Sequence, residues 1–142
     1  MAIESINPTT GELVKSYRET NPEQVEAAIV KAHEANQEWQ STDFDLRSSL
    51  MKRAAAILRE RKEEYAHLMA LEMGKPVSEG KGEVEKCAWV CEYYADKAAQ
   101  FLANEPVTTD ASSSYIAYRP MGLVLAVMPW NYPLWQVFRF AA

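Results

Sequence analysis

The nine residues VMPWNYPLW, 127–135, bend the chain between two prolines directly after an uninterrupted apolar run. That run, LVLAV over residues 123–127, has the length and composition of a β-strand covered on both faces, as in a parallel sheet. Pro133 favours the first turn of a following helix. The predicted helix contains four bulky apolar side chains: Trp135, Val137, Phe138 and Phe140. This strand-to-helix connection predicts an α/β fold.

The bend also carries a polar side chain, Asn131, beside an aromatic one, Trp130. In open α/β sheets, ligands bind beyond the carboxyl ends of the strands, which is where residues 128–133 are expected to lie. Asn131 is therefore a candidate donor to an oxyanion that develops on a substrate. The alternative is structural: Asn131 satisfies the backbone of the turn, and Trp130 fills a gap under it. The residues alone leave both interpretations open.

Upstream of the bend, local signals predict a hairpin and a helix. Turn-forming residues over 7–11 separate two short strands, which make an edge hairpin. Asn21 is a capping residue, and Pro22 suits the first helical position. A helix is therefore predicted over residues 22–40.

Two further helical patterns follow. The first begins after residues 41–43 and ends at Gly74, and its charged run over 59–64 is interpreted as a solvated face with a break between two helices. The next is predicted to begin after the Gly-containing stretch 78–82. It carries a narrow, regular apolar stripe: Val84, Ala88, Cys91, Ala95, Ala98 and Leu102. Three long helices are thus predicted, followed by an extended segment over residues 105–120.

Charge and composition limit the partners. Fifteen basic against twenty acidic residues give a net charge of -5, without a basic cluster long enough to follow a phosphate backbone, so nucleic acid is not an expected partner. The longest apolar run, over 121–130, is too short to span a bilayer, and no secretory signal precedes the first helix. A cytoplasmic protein without a membrane partner is predicted.

The two cysteines are predicted to be reduced packing residues. Cys87 and Cys91 are four residues apart in a helical pattern, which suits neither a CxxC redox pair nor a zinc site. A nucleophile or metal pair needs a nearby histidine or a third ligand. His33 and His67 lie in charged helical segments, so no metal site is predicted.

Three motifs together carry a family resemblance. MPWNYPLWQVFR over 128–139, preceded by YRPMGLVLAV, closely resembles the segment of NAD(P)-dependent aldehyde dehydrogenases in which a Pro-Trp-Asn turn follows the first strand of the cofactor domain. INPTTGE at 6–12 and EMGKP at 72–76 stand in the same order as in that family. The resemblance covers essentially the whole chain. Because family chains are much longer, it implies the N-terminal part of an aldehyde dehydrogenase-like fold.

The resemblance implies how the chain divides into domains and which residues of the bend contact the substrate and the cofactor. Residues 1–104 correspond to the N-terminal hairpin and helices, 105–120 to extended oligomerisation strands, and 121–142 to the truncated start of a Rossmann-like cofactor domain. Asn131 corresponds to the side chain that hydrogen-bonds the aldehyde oxygen. Contacts to the nicotinamide half of NAD or NADP are implied for Met128, Pro129 and Trp130. A homo-oligomer, dimer or tetramer, is implied for the complete protein.

The positions that line the family's substrate tunnel correspond to Tyr132, Trp135, Gln136 and Arg139. An arginine in the place of Arg139 grips the far carboxylate of the substrate in succinate-semialdehyde dehydrogenases, a task that suits a guanidinium fork. The sequence is most similar to that group, which implies succinate semialdehyde as the substrate. The alternative for Arg139 is a surface arginine near a helix C-terminus.

The resemblance also marks what the segment lacks. The family's nucleophilic cysteine, its glutamate base and its ribose-binding lysine lie downstream of these residues, and no matching loop surrounds Cys87 or Cys91. The 142 residues alone are therefore expected to be inactive. A second hypothesis is a small helical interaction module that binds a protein partner and has no catalytic activity.

Overall fold

A computed structural model describes residues 3–142, which form five helices and two separate strand pairs. In chain order the elements are β1 (Ile3–Ile6), β2 (Leu13–Tyr17), α1 (Pro22–Trp39), α2 (Phe44–Glu60), α3 (Lys62–Met73), α4 (Val77–Phe101), β3 (Glu105–Pro106), β4 (Tyr115–Ile116) and α5 (Pro133–Ala141).

The predicted hairpin is confirmed. β1 and β2 pair antiparallel, with Ile3 opposite Tyr17. The turn closes through a hydrogen bond of 2.8 Å from the Gly11 amide to the Asn7 carbonyl. Gly11 has a φ of 73°, which glycine adopts without the steric cost that a side chain brings.

The prediction for α1 is confirmed to within one residue, because its start signal is strong. The Asn21 side chain accepts from the Gln24 amide at 2.8 Å, and the Gln24 side chain accepts from the Asn21 amide at 3.0 Å. This reciprocal capping box satisfies two backbone donors that a helix start otherwise leaves unpaired. The helix buries none of its residues.

The core lies along α4, which packs against α2, α3 and α5. The core cluster consists of Ala55, Leu58, Met69, Val84, Cys87, Ala88 and Cys91. The stripe predicted for this helix is therefore confirmed in its first half, and Cys87 adds to it. The predicted break is confirmed at Arg61, which separates α2 from α3.

The charged run at the end of α2 contributes cross-links on the surface. Arg59 donates to Glu85 at 2.7 Å and to Glu92 at 2.8 Å, both on α4. Hydrogen bonds from Arg59 lower the pKa of each of these carboxyl groups. Exposed pairs of this kind are screened by solvent and contribute little to stability. Across residues 3–142, no helix combines the length and apolar character that crossing a membrane requires.

The predicted start of α4 is wrong, since the helix begins at Val77 and runs through both glycines of the stretch 78–82. Gly80 is needed there for packing and does not mark a loop. A Cβ on Gly80 would lie 3.0 Å from Cα of Ala66 and 3.3 Å from Cε of Met69. The absence of a side chain lets α3 approach α4 closely at this point.

The strand predicted over residues 123–127 is also wrong, because no strand is formed between residues 117 and 132. Leu125 is 89% and Val127 86% exposed. A β-strand needs a neighbour to accept and donate its ladder hydrogen bonds, and this run has no partner strand among residues 3–142. The extended segment before it is confirmed only as one short antiparallel pair, β3 with β4.

Replacing Gly80 with alanine is expected to lower the free energy of unfolding by about 1–3 kcal/mol, because overpacking at the α3–α4 contact outweighs the better helix propensity of alanine. Gly82 is the matched control, since nothing lies within 4 Å of a Cβ built there. Gly82→Ala is expected to raise the free energy of unfolding by up to about 1 kcal/mol. Urea denaturation followed by circular dichroism measures both changes. Equal shifts in the two variants would contradict the close contact.

Candidate functional site

The Asn131 side chain lies on the surface of the bend that precedes α5. Asn131 is exposed, and its carboxamide makes no hydrogen bond to any residue between 3 and 142. Trp130 beside it is 74% exposed. The structural alternative is therefore wrong for both residues, because Asn131 does not satisfy the turn and Trp130 does not fill a gap beneath it. The Asn131 amide therefore has no partner within residues 3–142.

The first turn of α5 is capped from another helix. Its N-cap residue, Tyr132, makes no side-chain capping hydrogen bond. Instead Glu83 of α4 places Oε1 at 2.9 Å from the Leu134 amide and 3.0 Å from the Trp135 amide. These amides are the second and third of the helix, the two that a capping side chain normally satisfies. The negative charge also complements the positive end of the helix dipole.

Lys75 also holds the bend from beneath, together with Glu83. Its ammonium group donates to Oε2 of Glu83 and, at 3.3 Å, to the backbone carbonyl of Asn131. The same group lies 3.6 Å from the centre of the Tyr132 ring. The side chains of Lys75 and Glu83 are only 4% and 0% exposed. A buried ion pair is tolerated when its remaining donors and acceptors are satisfied, as they are here.

The turn between α3 and α4 brings Lys75 to this position. Gly74 ends α3 in the left-handed conformation, with a φ of 73°, and its amide donates to the Ala70 carbonyl at 3.0 Å. A glycine is favoured at such a helix end because it carries no Cβ penalty. A Cβ on Gly74 would also lie 3.2 Å from Pro8 of the hairpin turn. The motif EMGKP thus forms the junction of hairpin, α3 and α4.

α5 itself is confirmed as predicted, with Pro133 at its first position. Leu134, Trp135 and Phe138 pack against the core. The Lys86 ammonium lies 3.9 Å from the centre of the Trp135 ring, so α4 covers one face of the indole. Trp135 is thus held by the core and by α4.

The other predicted substrate contacts lie on or near the outer part of α5. Tyr132 is 43% exposed and Arg139 is exposed. Gln136 and Arg139 are three residues apart, which places them on one side of the helix. Oε1 of Gln136 is buried and has no hydrogen-bond partner among residues 3–142. The guanidinium group of Arg139 is thus at the surface, whereas the unpaired oxygen of Gln136 lies buried one turn before it.

Of the predicted cofactor contacts, Met128 is half-buried, whereas Pro129 and Trp130 are exposed. Trp130 also lines an apolar cavity of about 560 Å³ between β1, α3 and the start of α5. Pro133 and Leu134 complete the wall on the side of the bend.

Both cysteines are buried in the core and free, which confirms them as packing residues. Burial raises the pKa of the Cys87 thiol to about 12, and the negative charge of Glu83 adds to the shift. Burial likewise raises the pKa of Cys91 to about 11. A thiol with such a pKa is protonated near neutral pH and is a poor nucleophile.

Sequence reasoning missed Lys75 and Glu83, although two signals pointed to them. Tyr132 stands where a capping residue belongs, so the start of α5 needs an acceptor from elsewhere. Glu83 lies four residues before Cys87, on the buried face of α4, where an unpaired charge is costly. A buried acid and a helix start without a cap are complementary, but only the fold shows that they meet.

The edge hairpin, the helices packed around α4 and the bend held by Lys75 and Glu83 are thus the main parts of the fold that residues 3–142 form. The family model described as "Aldehyde dehydrogenase family" matches residues 1–142. The chain belongs to the aldehyde dehydrogenase family.

Two relatives show which members of the family the chain resembles. A probable succinate-semialdehyde dehydrogenase of Synechocystis sp., whose name specifies NADP(+), is 51% identical over 100% of this chain and 31% of its own length. Succinate-semialdehyde dehydrogenase 1 of Mycobacterium bovis is 43% identical over 100% of this chain and 32% of its own. The chain therefore spans about a third of the length of the curated relatives it matches.

A solved structure shows the same likeness. Succinic semialdehyde dehydrogenase from Streptococcus pyogenes, in complex with NADP+, superposes with a TM-score of 0.90 at 34% identity. The match covers 96% of this chain and 30% of that one.

The thiols of the folded chain are expected to resist a thiol reagent such as dithionitrobenzoate at pH 8. With a pKa raised from 9.0 to about 12, Cys87 carries about three orders of magnitude less thiolate than an unperturbed thiol at this pH. Absorbance of the released product measures the rate. Both thiols should react in denaturant, and an added Gly82→Cys thiol, on the exposed side of α4, should react at once. Rapid labelling of two thiols in the folded protein would refute the assignment.

Proposed function

We propose that residues 1–142 form the N-terminal part of an NADP-dependent succinate-semialdehyde dehydrogenase, which oxidises the aldehyde to the carboxylic acid. Membership in the aldehyde dehydrogenase family supports the reaction class. The names of two relatives and of the Streptococcus pyogenes structure support both the substrate and NADP rather than NAD. The complete enzyme needs a nucleophile and a base from outside this segment.

One observation carries the proposal: the carboxamide of Asn131 is exposed and free of hydrogen bonds on a turn whose backbone is held from below. When a nucleophile adds to the aldehyde carbon, the electron pair of the C=O bond moves to the oxygen. The Asn131 amide then donates to that oxyanion, and the fixed backbone means that little reorganisation is needed.

The residues around the bend fit a flat cofactor ring. Trp130 and Pro129 are exposed on the same turn as Asn131, so an aromatic face and a rigid backbone are available next to the reacting oxygen. Bound beside these residues, NADP+ would supply the hydride acceptor for the oxidation. In this proposal Met128, Pro129 and Trp130 orient the nicotinamide half of the cofactor and keep water away from it.

The far end of the substrate is assigned to Arg139, with Tyr132, Trp135 and Gln136 as the remaining tunnel contacts. Arg139 follows the start of α5 by six residues, a rise of about 9 Å at 1.5 Å per residue. A four-carbon substrate and the long arginine side chain together bridge that distance. The guanidinium group has no ion pair within residues 3–142, so it remains available for a carboxylate.

The remaining features of the complete protein follow the same proposal. Residues 1–104 form the hairpin and helical part, 105–120 contribute to association of subunits into a dimer or tetramer, and 121–142 begin the cofactor domain. The protein acts on a small aldehyde in the cytoplasm and binds neither nucleic acid nor membrane. The alternative, a helical interaction module, is disfavoured because the family match extends over all 142 residues and includes the bend.

An assembled enzyme tests the function. Residues 1–142 joined to the remaining two thirds of the Synechocystis relative are expected to reduce NADP+ with succinate semialdehyde. In that enzyme, Asn131→Ala is expected to lower kcat by about 100- to 1000-fold, because one oxyanion donor is lost. Absorbance at the NADPH band measures turnover. Asn104→Ala, the same change at an exposed residue beyond α4, is the control and should keep full activity.

The proposed function fails if the assembled enzyme binds NADP+ but does not oxidise the aldehyde. It also fails if Asn131→Ala and Asn104→Ala have equal turnover.

Arg139→Ala in the assembled enzyme is expected to lower kcat/KM for succinate semialdehyde by about 10- to 100-fold, the usual loss for a charge-assisted hydrogen bond. Butanal, which has the same chain length and no carboxylate, should be oxidised by the variant as well as by the parent. Arg139→Lys keeps the charge without the fork and should fall between the two. Equal losses for both aldehydes would show that Arg139 does not bind the carboxylate.

A further inference from the structure

We propose that Lys75 and Glu83 are positioning residues that hold the Asn131 carboxamide where the oxyanion forms. This inference rests on the proposed function, and it assigns a role to a buried ion pair that otherwise only joins the α3–α4 turn to α4. Neither side chain needs to touch the substrate, since both are almost wholly buried under the bend. They act through the backbone of residues 131–135.

Glu83 fixes the direction of α5. Its Oε1 accepts from two consecutive amides, those of Leu134 and Trp135, at 2.9 and 3.0 Å. Because one buried oxygen accepts both hydrogen bonds, it holds both the position and the tilt of the first helical turn. α4 is the central helix of the core, so this contact ties α5 to the most buried part of the molecule.

Lys75 fixes the peptide of Asn131 itself. The ammonium donates to the Asn131 carbonyl at 3.3 Å and lies 3.6 Å from the centre of the Tyr132 ring. It is thus in contact with both residues that share the 131–132 peptide bond. With the carbonyl held toward the interior, the side chain of Asn131 stays on the exposed surface.

The two contacts depend on each other. Oε2 of Glu83 accepts from Lys75 while Oε1 caps α5, so one carboxylate links the ammonium to the helix. Lys75 lies directly after the left-handed Gly74, a backbone conformation that restricts where its side chain begins. The ion pair therefore transmits the rigidity of the α3–α4 junction to the turn that carries the amide.

Such positioning matters because oxyanion stabilisation depends steeply on distance. A displacement of about 1 Å in a group that aligns the reaction can reduce turnover by as much as about 100-fold. The apolar run before the bend has no strand partner within residues 3–142 and provides no such restraint there. Lys75 and Glu83 provide it from the side of the core.

The test is a double-mutant cycle in the assembled enzyme. Lys75→Met is expected to lower kcat by up to about 100-fold while the affinity for NADP+, measured by fluorescence titration, changes little. In a chain that already carries Asn131→Ala, Lys75→Met is expected to lower kcat no further, because the group it positions is absent. Lys52→Met is the control, since Lys52 pairs with Asp96 at 2.8 Å on the exposed surface of α2 and α4, and it should leave kcat unchanged.

A second variant covers the case in which Lys75→Met does not fold, since it leaves Glu83 buried and unpaired. Lys75→Met with Glu83→Gln removes both charges and keeps an amide oxygen to cap α5. This double variant is expected to fold and to bind NADP+ with the same loss of kcat. The single variant Lys75→Arg keeps a positive charge at this position and is expected to keep part of the kcat that Lys75→Met loses. Full kcat in the folded double variant would overturn the positioning role.

The cycle separates this inference from the function on which it rests. If Asn131→Ala lowers kcat strongly but Lys75→Met lowers it again by the same factor in that background, the positioning role is wrong and the oxyanion role stands. If Asn131→Ala has no effect, both are wrong.

Discussion

The arrangement of the bend depends on one buried carboxylate. Glu83 supplies the cap that Tyr132 does not provide for α5, and its second oxygen holds Lys75, which in turn holds the Asn131 carbonyl. A lone charge in this place would strongly destabilise the fold, but here both oxygens of the acid are satisfied. Apolar packing of Leu134 and Phe138 on the core then adds to the attachment of α5. Polar and apolar contacts thus act on the same helix.

Local signals were enough to predict much of the fold. The hairpin turn, the capping box of α1 and the proline at the start of α5 each involve residues within a few positions of one another, so their outcome depends little on the rest of the chain. The same holds for the break at Arg61, in the middle of a strongly charged run. Of the candidate site, the sequence located Asn131 at the bend but left open whether its amide faces a ligand or satisfies the turn, and the structure shows the side chain exposed.

Distant contacts decided what the sequence could not show. In the sequence Gly80 resembles a helix breaker, but in the structure it lies in α4 and packs against Ala66. Residues 123–127 have the composition of a strand, but no partner strand lies in the described part of the chain. Lys75 and Glu83 lie about fifty residues before the bend they support. Neither spacing nor composition connects positions so far apart, because only the packing of α4 against α5 brings them together.

The apolar run at 123–127 has a further consequence for handling the protein. Within residues 3–142, these five uncharged residues have no partner strand, and an unpaired run of this kind is a template to which an identical run from another molecule can add. Any self-association through this run would depend on the concentration of the protein. Dilution, or a single lysine in the run, counteracts it by restoring solvation and repulsion between copies.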